Sequence, residues 1–184
     1  MLEALFREIA QRPAATYQRQ RQQVMGTPGA QLPITVHHLS LAHCGVQLTL
    51  QYELGNHNLA EVRFTYQGQR AIPAFELDTR EPLARLFRFN KAVWIINCRD
   101  GRFERELRRL LEAHRLTRLA EDTLFNPLMK GKENAAEWEL YTRYHLAFAD
   151  KEKSVLPILD FHCGLIDYLY QEYGLATERG PVEE

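Results

Sequence analysis

The sequence predicts an α+β fold: an antiparallel β-meander with flanking helices and a long C-terminal helix. Two segments, Val46–Leu54 and Val62–Tyr66, alternate apolar and polar residues with the period of two that marks a half-buried strand. Phe103, Leu107, Leu110 and Leu111, and later Leu159, His162, Cys163, Ile166 and Leu169, recur instead at helical spacing. The strand patterns cluster ahead of the helical ones and do not alternate with them regularly, which separates α+β from α/β. The 184 residues, 45% hydrophobic and 26% charged, suffice for one globular domain.

Taken in order, Leu2, Leu5, Phe6 and Ile9 lie on one helical face, and Pro13 interrupts that helix. Helix can resume over Ala14–Met25, a Gln- and Arg-rich stretch with few large apolar residues, so residues 1–25 are expected to be an N-terminal helical segment. Gly26-Thr27-Pro28-Gly29 is a break, and residues 30–175 are expected to form the single α+β domain. Ile34–Leu41 reads as a first strand, followed by the two alternating segments. Gly68-Gln69 offers a tight turn into a return strand over Ala71–Leu77. Pro73 cannot donate to a ladder, which predicts that this strand lies at a sheet edge or carries a bulge. Pro82–Phe89 reads as a short helix, and Ala92–Cys98 as a strand buried on both faces because its apolar run is continuous. Asp100-Gly101 turns the chain into the helix of Phe103–Leu111. Asn126-Pro127 and Gly131 leave Leu116–Ala135 ambiguous, and Trp138–Leu146 alternates as a strand. Ser154 is the expected N-cap of the last helix, with Pro157 in its first turn and Gly174 at its end. Residues 176–184 are expected to be a flexible tail.

A net charge of −1 conceals polarity along the chain. Residues 80–118 carry eleven bases against five acids, and residues 119–184 carry six bases against thirteen acids. Between Glu8 and Glu53 there is no acidic residue at all. No apolar run is long enough for a membrane helix, and the first residues lack the pattern of a secretory signal, so a cytoplasmic location and no membrane partner are expected. Three cysteines, Cys44, Cys98 and Cys163, do not make a disulfide framework.

The phosphate-binding glycine loops, the serine-hydrolase elbow, H-E-x-x-H and C-x-x-C are all absent. Histidine and cysteine form one loose constellation. His43, Cys44 and His162 are the candidate metal ligands, with His38 or Cys163 to complete a set, because zinc takes imidazole and thiolate. Adjacent residues diverge on strands and helices, so each His-Cys pair supplies one ligand at most, and no metal or cofactor is expected. His38, His43 and Cys163 are the candidates for a Cys–His nucleophile, which needs an imidazole within hydrogen-bond reach of the sulfur. Asp160, Asp167 and Glu172 read as a solvated acidic face. Arg102, Arg105 and Arg109 share one face of a helix and are the candidate binding residues, able to meet successive phosphates or an acidic partner. Glu104, Glu106 and Glu112 dilute that face.

No constellation here dictates a reaction. The expectation is a small cytoplasmic domain that binds another protein, through complementary charge or through an edge strand. A hydrolase built on the His/Cys set is the alternative, and a nucleic-acid-associated accessory protein is the third reading.

Overall fold

The computed structural model describes residues 2–25, 31–55, 57–79, 93–121, 125–135, 137–146, 148 and 150–175. The expected α+β architecture is present: one eight-stranded antiparallel sheet with four helices among the described residues, ending in a long C-terminal helix. The elements are α1 (Leu2–Ile9), β1 (Ala15–Met25), β2 (Gln31–His43), β3 (Val46–Leu54), β4 (Leu59–Tyr66), β5 (Phe75–Thr79) and β6 (Trp94–Cys98), then α2 (Gly101–Ala113), α3 (Leu116–Glu121), β7 (Phe125–Asn134), β8 (Glu137–Leu146) and α4 (Glu152–Tyr173). The strand order is β1-β2-β3-β4-β8-β7-β5-β6.

One face of the sheet carries the core. Leu39, Leu48, Leu50, Tyr52, Val62, Phe64, Leu140 and Tyr144 alternate inward from β2, β3, β4 and β8 and are buried under Ile158, Phe161, Leu165 and Leu169 of α4. Two buried hydrogen bonds pin this helix to the sheet. The Tyr52 hydroxyl lies 2.9 Å from Ser154 Oγ, and Thr142 Oγ1 lies 3.2 Å from His162 Nε2. Phe103, Leu107, Leu110 and Leu111 dock α2 into the same layer. Asp100 starts α2 by accepting from the backbone N–H groups of Arg102 and Phe103, two donors the first turn leaves unpaired. Phe6 of α1 is fully buried and stacks on Tyr17 and His37, so α1 lies against the first two strands.

Five expectations need correction. Ala15–Met25 is a strand, paired with β2 from Ala15↔Leu41 to Met25↔Gln31. The segment beyond Pro73 does not return beside β4. Instead β8 pairs with β4, and β5 lies inside the sheet between β7 and β6, with Pro73 ahead of the strand. The edge role assigned to Pro73 therefore fails, because the proline precedes the ladder and breaks nothing. The apolar run ending at Cys98 is an edge strand, β6, with Ile95 half-exposed at 50%. Ser154 does not cap α4, which starts at Glu152. Its hydroxyl donates back to the Lys151 carbonyl at 2.6 Å, and Pro157 falls in the helix interior. The ambiguous stretch resolves into α3 and β7. Pro127 is tolerated there beyond Asp78↔Leu128, the last pair with β5, where its missing N–H breaks no bond on that side. The helix expected over Pro82–Phe89 and the tail at 176–184 lie outside the described residues.

Candidate functional site: a histidine–cysteine turn and an open sheet edge

The β2–β3 hairpin turns through Cys44 and Gly45, whose φ angles of 48° and 78° are those of a two-residue type I′ turn. Glycine is at ease at the second position. Cysteine at the first is unusual, since asparagine, aspartate and glycine are the residues that tolerate a positive φ there. The turn projects toward α4. His43, the last residue of β2, points to the helical side of the sheet, as Leu39 and Leu41 do. Its Nε2 lies 2.7 Å from Asp167 Oδ1, and the Cys44 thiol donates to that same oxygen at 3.3 Å. Partial burial, together with the carboxylate that accepts its hydrogen bond, pushes the Cys44 thiol up from its ordinary value.

One and two turns before Asp167, Cys163 and Asp160 line a groove of about 430 Å³ between α2 and α4, with Glu106 and His114 on the facing side. Gly164 permits this close approach, because a Cβ at that position would meet His114 Nε2 at 2.7 Å. Burial, reinforced by the charges of Asp160 and Asp167, lifts the Cys163 thiol to about 12, so it is not a thiolate at neutral pH.

The remaining sequence candidates separate. His162 is fully buried, and its Nδ1 donates to the Ile158 carbonyl at 2.7 Å, so it belongs to the core and not to the cluster. Burial depresses its imidazole to about 4. His38 lies on the opposite, open face of the sheet, paired in register with Gln51, so the sheet stands between it and Cys163. Cys163 makes no hydrogen bond to an imidazole among the described residues, and the Cys44 sulfur is bonded to a carboxylate instead. On α2, Arg102 pairs with Glu172 at 2.8 Å and Arg109 pairs with Glu106, which leaves Arg105 without an ion pair among the described residues. Asp167, which the sequence places on a solvated acidic face, turns out to be the partner of His43 and Cys44. It stands 124 residues from His43, and no local pattern signals that the hairpin turn meets α4.

The open face and its first strand form a second feature. On that face Glu61 accepts from Tyr141, Arg63 and Arg143, and the Arg63 guanidinium lies 4.7 Å from the centre of the Tyr141 ring. Burial raises the Glu61 carboxyl, but those three hydrogen bonds outweigh it and hold the group below the usual carboxylate range. Next to this cluster a groove of about 450 Å³ runs to β1, lined by Gln18, Gln20, His38, Ser40, Gln51 and Arg63.

The strand β1 has a pairing partner on one side alone among the described residues. The Ala42 N–H donates to the Ala14 carbonyl, which fixes the alternation of the ladder. Even-numbered residues of β1 therefore exchange bonds with β2, and the backbone groups of Tyr17, Arg19, Arg21 and Gln23 point away from it. Past Thr35↔Leu54, where β3 stops, the β1–β2 pair continues alone toward Met25 and Leu32, which are 82% and 38% exposed.

Compared with known proteins, the chain matches no family model, no curated protein and no solved structure. What the fold defines is a class: an α+β protein with one helix-covered sheet face and, among the described residues, one open polar face and a long free edge. No helix among the described residues is long and apolar enough to cross a membrane.

Proposed function

We propose that the protein is a binding module whose β1 edge takes up an extended, acidic segment of another protein as a further strand. The free edge of β1, eleven residues long, carries this reading. An edge strand presents a row of unpaired donors and acceptors at the spacing of a ladder, and adding a strand satisfies them. The charge pattern supports an acidic occupant: Arg19 is already paired with Glu3 of α1 at 2.6 Å, but Arg12 and Arg21 have no ion pair among the described residues, in a stretch with no acid between Glu8 and Glu53. Arg19 also works against self-pairing: two copies of β1 joined antiparallel about Gln20 would set Arg19 opposite Arg21, and like charges directly opposed are unfavourable. The groove beside Gln18 and Gln20 gives alternate side chains of the incoming strand a place to lie. The other edge, β6, spans five residues and is less able to hold a partner. Three free thiols are compatible with a reducing compartment, which supports a cytoplasmic setting.

The test is a titration with a short labelled peptide of alternating valine and glutamate. Binding should weaken as salt screens the arginines. Arg21→Pro removes an outward N–H while leaving the β1–β2 ladder intact, and should abolish binding. Arg21→Gln keeps that N–H and should retain weaker binding. If Arg21→Pro binds as well as Arg21→Gln, the strand-addition reading is wrong.

A further inference from the structure

We propose that His43, Cys44 and Asp167 form a surface site for a divalent transition metal, with zinc as the metal the donor set fits. Three different donor types converge from two elements, and their nearest ligand atoms all lie within 4.8 Å of one another. Around a tetrahedral zinc, with bonds of about 2.0–2.3 Å, ligand atoms sit roughly 3.3–3.8 Å apart. The observed separations of 2.7 Å for Nε2 to Oδ1 and 3.3 Å for Sγ to Oδ1 reach that geometry when the side chains open by less than about 1 Å. Exposed side chains on a turn and a helix surface allow such a movement: His43 is 31% exposed and Asp167 45%.

The chemistry of the set selects the metal. Imidazole and thiolate disfavour magnesium and calcium, which take oxygen ligands, and suit zinc, which accepts nitrogen, sulfur and one carboxylate together. Binding exchanges one ion for one proton. The metal takes the Cys44 sulfur lone pair as the thiol proton leaves to solvent; the Nε2 proton that His43 donates to Asp167 passes through solvent to Nδ1, and the freed Nε2 and carboxylate each form a bond to the metal. Thiolate and carboxylate together neutralise the dication. Three protein ligands leave the fourth position to water, the arrangement of an open site and not of a closed structural one. Asp160 and Glu106 in the adjoining groove add negative charge that favours a cation's approach, opposed by Arg109 in the same wall.

The turn itself fits this role. The backbone places a cysteine at φ 48°, where a hairpin gains nothing from a thiol, and that position brings its sulfur to Asp167. The site is independent of the β1 edge, so either reading can fail without the other.

The experiment is a cobalt(II) titration of the full chain without an affinity tag, followed by displacement with zinc. One equivalent should bind and give a thiolate-to-cobalt charge-transfer band, which zinc abolishes. Cys44→Ser should lose the band. His43→Gln and Asp167→Asn should each weaken binding by more than the ~10-fold at the lower end of what loss of an outer-sphere partner costs. Cys98→Ser and Cys163→Ser should keep the band. A second measurement uses the unaltered chain: one equivalent of zinc should protect Cys44 from alkylation while leaving Cys98 and Cys163 at their metal-free rates. Absence of stoichiometric binding, a band that survives Cys44→Ser, or equal labelling of Cys44 with and without zinc would overturn the proposal.

Discussion

Lowering the pH should destabilise the fold through one residue, His162. Its ring is fully buried under the sheet, donating from Nδ1 to Ile158 and lying against the Thr142 hydroxyl, and among the described residues no carboxylate is hydrogen-bonded to it to stabilise a second ring proton. Desolvation disfavours the imidazolium and sets the folded group at about 4 against 6.5 for an exposed histidine. Above pH 6.5 the ring is neutral in both states and contributes no pH dependence. Between 6.5 and 4 the unfolded chain binds a proton that the folded chain refuses, so stability falls as pH falls, by about 1.4 kcal/mol per unit. At pH 5 this single group accounts for about 2 kcal/mol relative to pH 7. Urea unfolding at both pH values, on the native chain and on His162→Leu, isolates it from the carboxylates, which titrate in both proteins. The variant loses the hydrogen bonds and is weaker at every pH, but its loss on acidification should be smaller by about 2 kcal/mol. Equal losses in the two proteins would refute a buried neutral histidine.

Other perturbations probe separate parts of the fold. Gly131→Ala places a Cβ within 2.2 Å of the Trp138 ring and 2.5 Å of the Phe75 ring, so urea unfolding should show a loss of at least the ~1–3 kcal/mol typical of overpacking, and an unchanged midpoint would show that the rings can part. Asp100→Ala removes the acceptor for two first-turn N–H groups of α2 and should cost about 1 kcal/mol by the same assay. Thiol labelling without metal should modify exposed Cys44 first and Cys163 last, because Cys163 is both shielded and held at about 12.

The parts of the molecule that could be read from sequence are those where one face is dry. β3, β4 and β8 alternate because Leu48, Phe64 and Leu140 lie under helices while Thr49, Thr65 and Glu139 meet solvent. The strand β1 could not be read this way. As an edge strand with Gln18, Gln20 and Gln22 on one face and Arg19, Arg21 and Gln23 on the other, it has no apolar period, and the same residues are good helix formers. The continuous run Trp94–Cys98 misled for the opposite reason: Ile95 is apolar yet points outward at an edge. Strand order was equally hidden, since nothing in the β4–β5 connection announces that β8 takes the place beside β4. Of the site, His43 and Cys44 stood out as neighbours, and their geometry explains how both can act together. A strand end followed by a positive-φ turn residue brings both side chains to one carboxylate, whereas two residues within a regular strand would diverge.

Docking at the β1 edge can be followed by amide hydrogen exchange resolved to single residues, with and without the valine–glutamate peptide. The outward N–H groups of Tyr17, Arg19, Arg21 and Gln23 should exchange fast in the free chain and slow down when the peptide is added, while those of Gln18 and Gln20, already bonded to β2, should change little. Protection that appears on β6 or α2 and leaves the β1 amides exchanging at their free rates would contradict the account.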